Sequence, residues 1–493
     1  MKLSEVLQRV PNTIFSGPGD ADISGISHDS RKMQKGFLFV AVQGEKMDGF
    51  AFIEKALQSG AEAVVSSRKK PDFFSKAWIQ VSDEREALSL CSANFYSHPS
   101  KELKIVGITG TKGKTTVSYI LEEILKKANF IPGVIGTISY RGPNIGISAE
   151  RTTPEASDLQ RMLRQMVDGG ATHCIMEVSS HALELKRVTG IEFDVVVFTN
   201  LSGEHMDYHQ NMDSYFAAKK KLFHAGRNRR TAIINTDDDW GKKLISDISI
   251  ESISVGLQSP AMVYAEKYDF DANGTKLTAI FPSGKMTISS HLLGKPNVYN
   301  ALSSLAASLA LNIPTDAIKE GIAALQGVPG RFERIQNSLG IQIYVDYAHT
   351  DDALKNLLET AQDLARERII LVFGAGGDRD KTKRPRMGAI AGKLADLTIL
   401  TSDNPRTESP SAIISDVEEG LIKTGPKKYI ILPDRKEAIK KALSLARKDD
   451  MILVAGKGHE DYQILRDKII PFSDKEVICE ILKTKGKGNS GLG

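Results

Sequence analysis

Apolar positions recur along this chain in two rhythms, and the sharpest change between them falls near residue 110. Leu103 to Ile108 is a short apolar run of the kind that forms a buried strand. Val117, Ile120, Leu121, Ile124 and Leu125 then follow at helical spacing. A glycine-rich turn separates the two. Further runs at Gly36–Val42 and Ala61–Ser66 predict strands in the first 100 residues. Up to about Val328, strands predicted at Ala171–Glu177, Phe193–Asn200 and Thr231–Thr236 alternate with helical segments, the pattern of a parallel α/β sheet. Strands near Ile341–Val345, Ile369–Phe373, Leu397–Leu400 and Met451–Ala455 repeat that pattern. Turn-forming stretches at His98–Glu102 and Gly327–Glu333 divide the chain. The expectation is therefore an α/β protein of three domains, at 1–99, 100–329 and 330–493. The central one is a phosphate-loop, parallel-sheet domain and the C-terminal one a Rossmann-like α/β domain. The tail Lys483–Gly493 is expected to fray.

At 493 residues the chain is too long for one core. An apolar content of 41% and a charged content of 26% are ordinary for a soluble globular protein. A net charge of +4 without any block of Lys or Arg gives no footprint for nucleic acid. Cys91, Cys174 and Cys479 lie far apart, with neither metal-ligand spacing nor a disulfide framework, which suits a reducing compartment. The first residues lack the apolar core of a signal peptide, and no apolar run reaches the length of a membrane span. A cytoplasmic protein with no membrane insertion and no nucleic-acid partner is expected.

The turn at residue 110 carries the clearest chemistry. Gly107, Gly110 and Gly113 let the backbone bend tightly and bring its N–H groups near an anion, and the helix start adds partial positive charge. Lys114 can reach terminal phosphates and the Thr115 hydroxyl can ligate Mg²⁺. Ile108 stands where the general GxxxxGK[ST] loop has glycine, so this is a narrower variant. Glu177, at the end of a predicted strand, is a candidate for holding that Mg²⁺. His181, just beyond, is as readily a structural histidine as a functional one.

Other clusters are weaker singly. His205, Asp207 and His209 could bind zinc, ligate a second Mg²⁺ or hydrogen-bond a substrate, and no Cys or HExxH helix supports the zinc option. The lysines of Tyr215–Phe223 read, on spacing alone, as a solvated basic face. Three loops in the last third follow strands and carry Arg379, then Asp403, Asn404 and Arg406, then Glu460. Arginines pair bidentately with carboxylates and acidic groups take ammonium, so this set suits an amino acid.

Together, Gly107–Thr116, Glu177–His181, Thr199–His209, Asp346–His349 and Gly456–Glu460 resemble the Mur ligases over nearly the whole chain. The resemblance implies a uridine-nucleotide domain, a central ATPase domain and an amino-acid domain. It implies ligation of an amino acid to UDP-N-acetylmuramoyl-L-alanyl-D-glutamate, using ATP and Mg²⁺, in peptidoglycan precursor synthesis. ATP would phosphorylate the D-glutamyl side-chain carboxylate, and an amine would attack the acyl phosphate. By motif matching, Thr109, Gly110, Thr111, Lys112, Gly113, Lys114 and Thr115 would cradle ATP, with Asn297, Asn300, Arg331, Asp346 and His349 nearby. Thr115 and Glu177 would serve one Mg²⁺. His205 would serve a second, together with Lys219, which falls where the family carries a carbamylated lysine. Ser30, Glu45, Lys46, Met47, Thr152, Thr153, Ser179 and Arg187 match contacts to the UDP-N-acetylmuramoyl dipeptide. Asp403-Asn404-Pro405-Arg406 marks family members that use meso-diaminopimelate, with Arg379, Gly456 and Glu460 completing that site. Arg406 would pair with the distal carboxylate, which lysine lacks.

The chain departs from the family pattern at Arg151, Leu185 and Asp351. Competing readings are the same ligase using L-lysine, a folylpolyglutamate synthetase, and a nucleotide switch. The last should carry an Asn-Lys-x-Asp stretch, which is missing from this sequence. A monomer is expected.

Overall fold

A computed structural model describes the chain except residues 45, 46, 73, 205, 225–229, 272, 426–428 and 489–493; the side chains of 206, 207 and 485–488 are likewise outside the description. Among the described residues the main strands form three sheets. The first has the order Ile14–Ser16, Ala77–Gln80, Ala61–Ser66, Phe37–Val40 and Gly25–Ser27. Its members run parallel apart from the edge strand Ile14–Ser16.

The second sheet is built on Lys104–Thr109. His173–Glu177 lies on one side of it and Val195–Phe198 on the other, both parallel. Pro132–Ile135, Thr231–Asn235 and Ser252–Gly256 extend the parallel part. Val263–Asp271 adds parallel to Ser252–Gly256, and antiparallel strands then lengthen both flanks, namely Ser139–Gly142 with Ile145–Ser148 on one, and Gly274–Phe281 with Gly284–Ser290 on the other. The sequence reading had included only the parallel part. Gly274–Phe281 alternates buried with partly or fully exposed positions, as an antiparallel strand with one solvated face can, and Ile145–Ser148 has no buried position.

Alternation sets the core. Val106 and Ile108 enter one apolar cluster with Val117, Ile120 and Leu121 of the helix Lys114–Lys127. Ile105 enters the cluster on the opposite face, with Phe193, Val196 and Phe198. Each fully buried Leu, Ile or Val contributes about 1.5–3 kcal/mol, so helices cover both faces. The third sheet repeats the design, with Leu371 and Phe373 on one face and Ile370 and Val372 on the other. Its parallel strands are Gln342–Asp346, Met451–Ala455, Ile369–Phe373, Leu397–Leu400 and Tyr429–Ile431. The short strand Glu333–Arg334 pairs antiparallel at its edge. A separate hairpin, Tyr462–Leu465 with Lys468–Pro471, follows.

The tail corrects one expectation. Over 483–488, the first part of the stretch expected to fray, the chain continues the helix Asp474–Gly488, and 489–493 lie outside the described residues. The apolar side of this helix, with Val477 and Ile478 buried, packs under the third sheet. The three cysteines are free, with Cys91 and Cys174 buried and Cys479 half-buried. Among the described residues no helix is long and apolar enough to cross a membrane.

Candidate active site

The parallel register brings the ends of three strands around the glycine turn. Glu177 lies opposite Ile108, and Phe198 opposite Thr109. Gly110 and Gly113 adopt φ of 141° and 89°, conformations that disfavour any side chain. Space is also short at Gly113, where a Cβ would stand 2.5 Å from Asn300 Oδ1. The turn is braced from the next strand end. Thr199 Oγ1 donates to the Lys112 carbonyl at 2.7 Å, and Lys112 N–H donates to Asn200 Oδ1 at 3.0 Å. Gly113 starts the helix with no side-chain cap, so the first N–H groups are left for an anion. Asn300 donates to Asn297 Oδ1 at 2.9 Å, which places both asparagines beside the loop.

Glu177 is 99% buried and held from three sides. Thr115 Oγ1 donates to its Oε2 at 3.0 Å and Thr137 Oγ1 at 2.9 Å, while Thr137 N–H donates to Oε1 at 2.9 Å. A fixed carboxylate beside a hydroxyl is a hard-oxygen donor set of the kind that suits Mg²⁺. Thr152 Oγ1 lies 3.1 Å from Thr137 Oγ1. Thr153 donates to the Glu177 carbonyl at 2.8 Å and accepts from Ser179 N–H at 3.1 Å. Arg187 donates to the Thr153 carbonyl at 3.0 Å and pairs with Glu155 at 2.7 Å. The structure thus gathers Thr152, Thr153, Ser179 and Arg187 around Glu177. Arg151 pairs with the same Glu155. Leu185 simply ends the helix Ser180–Glu184.

The basic-face reading fails at Lys219. This lysine is only 2% exposed, and its ammonium donates to the Gly110 carbonyl at 2.9 Å and lies 4.5 Å from the centre of the Tyr215 ring. Burial, then the neighbouring Lys114, holds its pKa well below the usual lysine value. Lys114 donates to the carbonyls of Gly110 and Thr111 at 2.9 and 2.8 Å, and burial lowers its pKa too. A sequence signal for Lys219 existed, since Tyr215 and Phe216 precede it by four and three residues on the apolar helix face. His205 lies outside the described residues, as does the side chain of Asp207. His209 is buried, hydrogen-bonded to Ser180 Oγ at 2.8 Å. Among the described residues no cluster of three His, Cys, Asp or Glu gathers to hold a metal.

The third sheet contributes from its own strand ends. Asp346 accepts from the N–H groups of Phe332 and Ala348 at 2.6 and 2.8 Å, and burial raises its pKa. Arg331 stacks over Tyr347 at 4.8 Å, and His349 Nδ1 donates to the Tyr347 carbonyl at 2.7 Å. Asn404 donates to Glu460 Oε2 at 2.9 Å, and Arg406, at φ 52°, donates to the Gly377 carbonyl at 2.7 Å. Pro405 is buried in this loop, and Arg379 stands exposed at the rim. Gly456, at φ 120°, has no room for a Cβ beside Asp403 Oδ2. A cavity of about 640 Å³ joins these loops to the central part, lined by His181 and Glu204 on one side and Arg379, Asp403, Arg406 and Glu460 on the other. Asp351 also lines it, paired with Arg386.

Ser30 sits apart from these loops, buried in a short turn of the first sheet's unit. That unit nevertheless touches the central part, through Lys32 and Asp158 at 3.4 Å. Met47 is exposed, and Glu45 and Lys46 lie outside the described residues. Sequence reasoning gave no individual role to Thr137, Thr199, Asn200, Tyr215 or Lys457, although all but Thr137 fall in segments it singled out; each touches a site residue only after folding.

Three family models match in succession: "Mur ligase family, catalytic domain" over 22–96, "Mur ligase middle domain" over 108–308 and "Mur ligase, glutamate ligase domain" over 330–458. The chain belongs to the Mur ligase family. Within that family it is 43% identical over 489 residues to the UDP-N-acetylmuramoyl-L-alanyl-D-glutamate--2,6-diaminopimelate ligase of Clostridium tetani, covering 98% of this chain and 99% of the relative. A solved structure of a ligase with that same name is 32% identical, with a TM-score of 0.69, covering 94% of this chain and 95% of the other. A Mur ligase of the MurF type from Thermotoga maritima, solved in complex with ADP, shares the fold at 18% identity and a TM-score of 0.66, covering 94% of this chain and 98% of that one.

Proposed function

We propose that this protein is the ATP-dependent ligase that joins meso-diaminopimelate to UDP-N-acetylmuramoyl-L-alanyl-D-glutamate in peptidoglycan precursor synthesis. The observation that carries the reading is the shared cavity, with the central part on one wall and the arginine and acidic loops on the other. Full-length similarity to ligases named for this reaction supports it. Residues 1–99 would take the uridine nucleotide, 100–329 ATP, and 330–493 the amino acid.

A carboxylate is a poor electrophile at neutral pH, and phosphoryl transfer from ATP gives it a leaving group. The amine then attacks the acyl phosphate, phosphate leaves, and the amide forms with loss of a proton. The protein's part is positioning and charge compensation. Residues 109–115 would hold ATP, with Lys114 turning from backbone carbonyls to the terminal phosphates. Asn297, Asn300, Arg331, Asp346 and His349 would border the nucleotide. Thr115 and Glu177 fit a Mg²⁺ ion, and His205 would hold a second with Lys219. Mg²⁺ supplies compensation of phosphate charge when bound. Lys219 is suited to carbamylation because its burial favours the neutral amine that reacts with CO₂. Thr152, Thr153, Ser179 and Arg187 would orient the dipeptide, and Ser30, Glu45, Lys46 and Met47 the uridine end. Arg406 and Arg379 would take carboxylates, and Asp403, Asn404, Gly456 and Glu460 would frame an ammonium group. A monomer acting in the cytoplasm, where ATP is supplied, completes the reading. Its product would feed wall growth and cell division.

The test is direct. Purified protein with ATP, Mg²⁺, the nucleotide dipeptide and either meso-diaminopimelate or L-lysine is assayed for phosphate and for a lengthened product by mass. Diaminopimelate-dependent phosphate release is expected. No ligation with either amino acid would overturn the reading, and faster turnover with lysine would overturn the specificity.

A further inference from the structure

Beneath the two loops that face the cavity lies a lysine that the reaction as described does not use. Lys457 is 0% exposed. Its Nζ donates to Asn404 Oδ1 at 3.1 Å and to Glu460 Oε2 at 3.2 Å, and stands 3.6 Å from Asp403 Oδ1. These partners sit on loops following two different strands, Leu397–Leu400 and Met451–Ala455. One buried cation therefore ties both together. Asn404 closes the triangle by donating to the same Glu460 oxygen. Both of these bonds engage Oε2, so Glu460 Oε1 keeps its accepting capacity at the cavity wall.

A buried ammonium this well partnered is costly to place, since desolvation is repaid only with good geometry. A hydrophobic side chain would fill the same space at less cost. What it could not supply is a fixed charge balance. Asp403 and Glu460 would stand as two carboxylates with no cation between them, and like charges push apart or take up a proton. With Lys457 present, the three groups carry one net negative charge at a set place. That matches a single ammonium.

The main chain beneath is fixed independently. Arg435, fully buried against Asp474, donates to the Ala455 carbonyl at 2.9 Å and to the Ser402 carbonyl at 3.4 Å. The hairpin braces the same loop, with Gln463 donating to the Asp403 carbonyl at 2.6 Å and Ile464 N–H to Asn404 Oδ1 at 2.9 Å. Loop position is thus held by Arg435 and the hairpin, whereas the charge between the two carboxylates is balanced by Lys457, which shares the orientation of Glu460 with Asn404.

We infer that Lys457 is a positioning residue for amino-acid recognition: it locks Asp403, Asn404 and Glu460 into one monoanionic cradle for an ammonium group of the incoming amino acid. This rests on the proposed ligase reading.

The test compares Lys457→Met, which keeps the length without the charge, with Lys457→Gln, which keeps a donor. Expected for Lys457→Met is a rise of about tenfold or more in KM for diaminopimelate, with KM for ATP and for the nucleotide dipeptide within about twofold of wild type. Lys457→Gln should fall between the two. An unchanged KM for diaminopimelate, or a parallel rise for all three substrates, would overturn the inference. If Lys457→Met does not fold, Lys457→Gln is judged by the same substrate-by-substrate comparison. Wild-type protein that ligates nothing would overturn the ligase reading itself, a result separate from either outcome.

Discussion

Lys114 and Lys219 donate to the same acceptor, the carbonyl oxygen of Gly110, each at 2.9 Å. Two ammonium groups on one buried carbonyl repel each other, and the pKa of each is lowered, first by burial. Under the proposed function the pair would be settled by giving Lys114 to phosphate and converting Lys219 to a carbamate anion. Lys219→Ala should therefore lower steady-state phosphate release about a hundredfold or more, with partial recovery on adding short carboxylates. Turnover at the wild-type rate would remove Lys219 from the proposed machinery.

Thr137 binds both oxygens of Glu177. Thr137→Val deletes the hydroxyl at nearly constant volume and leaves the backbone bond in place. The Mg²⁺ concentration for half-maximal activity should rise about tenfold, with a smaller change in KM for diaminopimelate. A magnesium titration of the variant that overlays the wild type would show that the carboxylate needs no such support.

Arg406→Lys replaces a planar fork with a point charge. We expect KM for diaminopimelate to rise about tenfold, equivalent to about 1.4 kcal/mol, while KM for ATP stays put. The arginine also donates to the Gly377 carbonyl, so a thermal melt should accompany the kinetics. Equal kinetic constants in variant and wild type would place the distal carboxylate elsewhere.

Gly456→Ala puts a methyl group 2.8 Å from Asp403 Oδ2 at a φ of 120°. A strained backbone of this kind costs about 1–3 kcal/mol, and relief would move Asp403. Lower thermal stability together with weaker diaminopimelate use is expected. Native stability would mean that the loop relaxes freely.

Much of this was legible before folding. The turn at Gly110–Gly113 sits between a strand and a helix, where periodicity placed it, because the switch from apolar run to helical spacing is local. Strand ends carrying Glu177, Asp346 and Arg406 were legible for the same reason. Spacing alone misreads Lys219 because three adjacent lysines suggest solvent, although its i−4 and i−3 neighbours are apolar. Thr137 gave no signal, and the contacts of Lys457 were hidden although its motif was singled out, since their partners are set by sheet order rather than by spacing. The antiparallel flanks were missed because half-exposed hairpins lack the continuous apolar runs that mark buried strands.

Acid should loosen the third unit through Glu408. Hydrogen bonding from Arg384 holds this carboxyl at about 2, against an ordinary 4.5. As pH falls the unfolded chain takes up the proton first, so the stabilisation is complete above pH 4.5 and is lost between there and about 2. Glu408→Gln should melt lower than wild type at neutral pH and show a flatter decline in that acid window. Parallel curves would mean that the pair contributes nothing.

The three thiols differ sharply in reach. Burial pushes Cys91 and Cys174 up to about 12, whereas Cys479 is half-buried on the helix that also holds Asp474. Mild alkylation in the folded state should thus stop at one sulfur, so that a dye can be attached at a single defined point without engineering. Because Asp474 anchors Arg435 under the loops that carry Asp403 and Glu460, a fluorophore there sits on the scaffold that those loops rest upon.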